Sequence, residues 1–381
     1  MSDPIKLAQE LIRCKSVTPE DGGAIELLSS HLTSLGFFCQ KLDFSGDDSY
    51  PVKNLYASWG QGKANLCFAG HTDVVPVGDS AAWRFDPFGG VIQGGILYGR
   101  GAVDMKTAIA CFIAACARVL ARGSLPISLS LLITGDEEAD AVNGTQKVLQ
   151  WMQKHNKKIT ACIVGEPTCN QHFCDTIKNG RRGSINFKLS VRGKQGHVAY
   201  PENFANPITQ LNRILFDLNE LELDAGNSDF PPSNLEVTSI DVGNNATNIV
   251  PAIAHANINI RFNNTHYASS LEQLVNGVCA RHSSAYELNA RCSGEAFLTP
   301  PGQFTNLVAE SVEAVTGQRP ALSTAGGISD ARFIREFCPV VEVGVLNTTA
   351  HQVDEHVSLE HIEQLTKVYE EVITRFAAAN S

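Results

Sequence analysis

Two kinds of strand pattern run through this chain, and they point to two different sheets. Residues 65–69 (NLCFA), 128–134 (SLSLLIT), 160–164 (TACIV) and 340–345 (VVEVGV) are short and almost continuously apolar, as strands are when both faces are covered. Helical stretches at 106–122 and 145–154 lie between the first three, and strands alternating with helices predict a mostly parallel α/β sheet. Residues 184–192 (SINFKLSVR) instead alternate strictly, with Ile185, Phe187, Leu189 and Val191 on one side, so one face of that strand meets water. A helix near 205–222, strands near 234–242 and 253–262, a helix near 269–283 and a strand near 286–293 complete a β-α-β-β-α-β order, the ferredoxin-like pattern. The expected fold is therefore an α/β domain built from residues 1–182 and 295–381, interrupted by an inserted α+β domain over 183–294. A chain of 381 residues is long enough that two cores are the default.

Asp3-Pro4 opens a first helix, a cap followed by a first-turn proline, and a second near 24–35 stops at Gly36. The net charge of −10 disfavours a nucleic-acid or anionic-membrane surface. No run is long and apolar enough to span a bilayer, and the N-terminal MSDPIKLAQELIRC lacks the apolar stretch of a signal peptide. The eleven cysteines are odd in number, show no C-x-x-C spacing and fall mostly in apolar runs (Cys67, Cys111, Cys116, Cys162). Thiols placed so behave as small hydrophobes, and a reducing cytoplasm is the expectation.

Chemistry-bearing residues cluster where strands end, the edge at which open α/β sheets place ligands. Ala69-Gly-His-Thr-Asp-Val-Val-Pro76 puts His71 and Asp73 two apart, on one face of extended chain. Asp73 could orient a ligating His71, a task a backbone carbonyl performs equally well. Tyr98-Gly-Arg-Gly-Ala-Val-Asp-Met-Lys106 sets Asp104 just before a helix, as a cap or a ligand. Thr134-Gly-Asp-Glu-Glu-Ala139 offers adjacent Glu137 and Glu138, which point to opposite sides, so one can hold an ion while the other serves as general base. Gly165-Glu-Pro-Thr168 adds Glu166, and His351-Gln-Val-Asp-Glu-His356 adds two histidines, of which one is expected to ligate. Singly, each is as readily a turn, a cap or a solvated acidic loop. Together they form a carboxylate and imidazole set without cysteine, which suits Zn²⁺, Co²⁺ or Mn²⁺ in a hydrolytic site. No G-x-S-x-G elbow, G-x-G-x-x-G fingerprint or Walker loop supports a serine hydrolase or a nucleotide enzyme.

GHTDVVPVGD, GRGAVDMK, TGDEEADAVNGT, VGEPT and HQVDEHV, in this order and with this insertion, resemble the M20 metallopeptidase family over essentially the whole chain. The resemblance implies an amide hydrolase of small acidic N-acyl diamino acids using two divalent ions. It implies that His71 and Glu166 hold one ion, Glu138 and His356 the other, and that Asp104 bridges. Asp73 would orient His71, and Glu137 would be the base. It further implies a homodimer formed through the inserted domain, with His197 of Gly193-Lys-Gln-Gly-His-Val-Ala-Tyr-Pro201 acting in trans. Arg181, Asn248, Arg261, Gly327 and Ser329 are substrate-binding candidates, since guanidinium suits bidentate carboxylate recognition. Another acyl-amino-acid hydrolase or dipeptidase of the family, and an inactive binding protein on the same fold, are the alternatives. The intact Glu137 and the complete ligand set argue against the second.

Overall fold

The computed structural model describes residues 3–381, and these divide into two compact units. The first comprises the chain up to Asn179, together with Thr299–Ser323 and Ser329–Ser381. Its eight-stranded sheet runs in the order Phe38–Gly46, Ser49–Trp59, Ser128–Thr134, Asn65–His71, Ala161–Val164, Val340–Glu342, Thr176–Lys178, Ala321–Ser323. The four central strands, 128–134, 65–71, 161–164 and 340–342, are mutually parallel. That is the arrangement their unbroken apolar runs require, because helices cover both faces.

The helix Lys106–Leu120 is buried along nearly its whole length. The C-terminal helix Leu359–Ala379 starts where the Ser358 hydroxyl accepts the Glu360 amide. Phe68 stacks on Phe112 at 4.5 Å between centroids, and Tyr369 meets both edge-on while donating its hydroxyl to the Val343 carbonyl at 2.7 Å. Gly165 is required here: a Cβ would sit 2.6 Å from the Phe68 ring and 2.8 Å from Ala108. The chain leading to Glu166 can therefore lie directly on that helix.

Several elements lie outside those expected from the sequence, among them a pair of edge strands. Residues 38–59 form an antiparallel hairpin at the sheet edge, with Asp47 and Asp48 at φ 55° and 59° in its turn. Two consecutive left-handed residues match the twist of paired strands, and aspartate tolerates that conformation better than most residues.

The second unit comprises Gly180–Leu298 with Thr324–Ile328. Gly183–Arg192, Asn234–Asp241, Ile253–Phe262 and Tyr286–Gly294 form an all-antiparallel sheet in which the first and third of these strands are central. Ile185, Phe187, Leu189 and Val191 pack with Leu211, Ile214 and Leu218 of the helix Pro207–Asn219 and with Leu271, Val275 and Val278 of the helix Ala268–His282. The edges fall at 179/180 and 298/299 rather than at 183 and 294, and residues 324–328 group with this unit. Among the described residues no helix is long and apolar enough to cross a membrane.

Candidate metal centre

Three parallel neighbours deliver the first ligands. The strand 65–71 ends in His71, the strand 128–134 leads into Glu137 and Glu138, and the strand 161–164 leads into Glu166. Because these strands run the same way, their C-terminal ends share one edge. Asp104 reaches that edge from the loop just before the helix 106–120.

Asp104 presents its two oxygens to two different groups. Its Oδ1 lies 3.1 Å from Nε2 of His71, itself 3.6 Å from Oε1 of Glu166. Its Oδ2 lies 3.3 Å from Nε2 of His351, itself 3.0 Å from Oε1 of Glu138. His71, Asp104 and Glu166 thus form one metal-capable group, and Asp104, Glu138 and His351 a second, with the aspartate shared.

The histidine of the second group corrects the expectation drawn from resemblance. His356 lies in a short strand, His356–Ser358, paired with Ile96–Tyr98. Its ring packs 5.3 Å from that of Tyr98, and its Nδ1 bonds the Asp354 carbonyl at 2.7 Å. His356 belongs to neither metal-capable group. His351, at φ 62°, turns toward it in a left-handed conformation uncommon outside glycine.

Asp73 meets His71 through its backbone. Nδ1 of His71 donates to the Asp73 backbone carbonyl at 2.9 Å, whereas the carboxylate lies 3.6 Å from that nitrogen. The carboxylate instead accepts the amides of Glu137 at 3.1 Å and Glu138 at 3.1 Å and the Thr18 hydroxyl at 2.9 Å. Its side chain thereby fixes the loop carrying the two glutamates. The far side of that loop is held by Asp136, which accepts the Tyr50 hydroxyl and the amides of Val142 and Asn143. In the sequence Tyr50 carries no signal for this role, and Asp136 is marked only as the aspartate ahead of two glutamates.

The electrostatics suit cations. Burial disfavours a charged His71, but Asp104, Asp73 and Glu166 outweigh it and keep the ring protonated well above its usual range. Hydrogen bonds to Asp104 and Glu138 push His351 up to about 10. Burial, reinforced by Asp104 and Glu137, raises Glu166 well above the carboxylate range. Glu166 Oε1 is buried without a hydrogen-bond partner, an arrangement that is unfavourable unless something else compensates it. Carboxylates that hold protons on two histidines and leave an oxygen orphaned are what a dication would relieve. The residues fit the group. Glu137 belongs to neither ligand set; burial, with Asp330 and Glu138 adding and His71 opposing, raises its carboxyl well above the ordinary range.

The remaining candidates lie elsewhere in the two units. In the second, His197 is exposed, and its Nδ1 accepts the Ala199 amide at 3.1 Å. In the neutral ring the proton is then on Nε2, free to donate. Arg181 is buried, Arg261 donates Nε to Asn259, and Asn248 is exposed with its carbonyl bonded to the Val198 amide. Gly327 has open space where a Cβ would be. Ser329, in the first unit, is fully buried and donates its hydroxyl to Glu342 at 2.7 Å, so it braces the fold and does not offer that proton outward.

Residues 67–375 match the model of peptidase family M20/M25/M40. This chain belongs to the M20 family. It is 52% identical over 375 residues to a succinyl-diaminopimelate desuccinylase of Ehrlichia canis, covering 98% of each chain. The M20 metallo-carboxypeptidase of Sulfolobus solfataricus superposes with a TM-score of 0.83 at 18% identity, over 99% of this chain and 100% of that one. A dinuclear metal-binding M20 peptidase of Bacillus subtilis gives 0.70 at 14%, over 98% of both.

Proposed function

We propose that this M20 protein removes the succinyl group from N-succinyl-L,L-2,6-diaminopimelate, giving succinate and the free diamino acid for diaminopimelate and lysine synthesis. The observation that carries the hydrolytic chemistry is Asp104, with one oxygen toward each ligand group. The substrate rests on the desuccinylase relative, 52% identical over nearly the whole chain.

His71, Glu166 and Asp104 would hold one divalent ion, and Asp104, Glu138 and His351 the other, with Zn²⁺ the expected metal and Co²⁺ or Mn²⁺ alternatives. Bound ions would supply Lewis acidity, polarising the amide carbonyl and lowering the pKa of water. Glu137, raised by its surroundings, would accept a proton from the water that attacks the amide carbon and deliver it to the amine nitrogen as the C–N bond breaks. Asp73 keeps Glu137 beside Glu138 by holding both amides. Arg181, Asn248 and Arg261 are proposed to meet the substrate's carboxylates, and Gly327 to leave the backbone open to it.

The protein is further proposed to act in the cytoplasm as a homodimer through the second unit, with Nε2–H of His197 stabilising the oxyanion in the partner subunit. The decisive experiment compares kcat/KM for N-succinyl-L,L-diaminopimelate and N-acetylornithine with Zn²⁺ added. Preference for the succinyl substrate by more than tenfold is expected; preference for the acetyl substrate would overturn the reading.

A further inference from the structure

Behind the ligand groups lies a buried ion pair to which the hydrolytic chemistry assigns no part. Glu355 is 0% exposed and Arg100 2%, and Nη1 of the arginine donates to Oε2 of the glutamate at 2.7 Å. The same carboxylate accepts three backbone amides from the loop that ends in Asp104. Gly101 donates to Oε2 at 3.0 Å; Val103 and Asp104 donate to Oε1 at 2.7 and 3.1 Å. The backbone adds a fourth tie, from the Gly99 amide to the Glu355 carbonyl at 2.9 Å.

Arg100 extends the lattice of bonds to two further segments. Nη1 reaches the Gln352 carbonyl at 3.2 Å, and Nη2 reaches those of His351 at 3.4 Å and Pro76 at 3.1 Å. Its guanidinium lies 5.2 Å over the Trp83 ring. One ion pair thus joins the loop of Asp104, the loop of His351 and the segment that follows His71.

We propose that Glu355 is a positioning residue for the metal pair, holding Asp104 so that one oxygen faces each ligand group and fastening His351 to the same frame through Arg100. This rests on the two-ion reading above. The residue fits the task chemically. A carboxylate offers about four lone-pair sites, and here four N–H donors, two per oxygen, converge on it. An amide in its place would turn an NH₂ against N–H donors on whichever side it faced. Both groups share Asp104, but His71 and Glu166 are carried by central strands, whereas the loop of His351 is fastened only through Arg100 in this frame, so the group containing His351 should suffer most.

The test is stepwise Co²⁺ binding to metal-free protein, followed by calorimetry and by the visible absorption of bound Co²⁺, in wild type, Glu355→Gln and Arg100→Lys. In Glu355→Gln one binding step should weaken by about 10- to 100-fold, as for other groups that orient metal ligands, with the other step, which also uses Asp104, weakened less. The absorption of the weakened site should shift. Turnover at equimolar metal should fall and recover with excess metal, with KM within about twofold. Arg100→Lys keeps the charge beside Glu355 but cannot span three carbonyls, so a smaller loss, about three- to tenfold, is expected. Two wild-type binding steps in folded Glu355→Gln, with only its Tm lowered, would overturn the proposal. Should that variant fail to fold, wild-type steps in Arg100→Lys would overturn it equally. Wild-type protein that binds two ions yet spares the succinyl substrate would refute the proposed activity alone.

Discussion

His351 and His356 lie five residues apart in one motif and have unrelated surroundings. His351 faces two carboxylates; His356 packs on Tyr98. His351→Ala should therefore remove close to one of two bound ions, read as metal content per subunit after gel filtration. His356→Ala should retain both and lower Tm modestly through the lost ring contact. Loss of metal from the His356 variant alone would reverse the assignment. No spacing rule separates these residues, because the choice depends on two backbone turns, at His351 (φ 62°) and Asp354 (φ 58°), that no local pattern announces.

The informative element is the loop after the strand 128–134. Of its two adjacent glutamates only Glu138 joins a ligand group, and both amides are gathered on the Asp73 carboxylate from the segment that follows the strand 65–71. Asp73→Asn would replace one acceptor oxygen with a donor facing those amides. The expected result is roughly tenfold weaker metal binding together with a lower kcat, read by Zn²⁺ titration with a chromophoric competitor. Unchanged affinity with a lower Tm would reduce Asp73 to a structural part. The apolar strands and the buried helix were readable because continuous hydrophobicity admits few other placements. The hairpin 38–59 was not, since its outer strand is largely exposed and its alternation carries weak contrast.

For the whole molecule, the ligand set makes stability depend on pH. In metal-free protein the His351 ring is raised to about 10 from 6.5, and His71, Glu137 and Glu166 are raised as well. These four groups bind more protons in the folded chain than in the unfolded one, whereas Lys106, pushed down by burial to about 8, binds fewer above that pH. The His351 contribution is fully present below about pH 6.5 and is lost as pH rises through about 10. Asp104, held below its ordinary range once His351 and His71 outweigh burial, works the other way only in acid. Chelated protein should therefore show a Tm that falls between pH 6.5 and 8, before Lys106 begins to oppose it, and metal-loaded protein a shallower slope, because ions displace those protons. A flat or rising metal-free profile would contradict this. For the proposed dimer, mixing inactive His197→Ala with inactive Glu137→Ala should restore activity, since one site of the mixed dimer regains both residues. No recovery after confirmed subunit exchange would exclude action in trans.

Residue pattern alone established two sheet types, an insertion between them, and a carboxylate–imidazole set at strand ends. Those properties follow from periodicity and from where strands stop, which are local. Tertiary structure decided which histidine joins Glu138, that Asp73 grips the glutamate loop through its carboxylate and His71 through its carbonyl, and that Glu355 ties Asp104 to His351. Each of these depends on groups distant in the chain meeting at distances near 3 Å, and a one-dimensional pattern carries no information about such meetings until the backbone has folded.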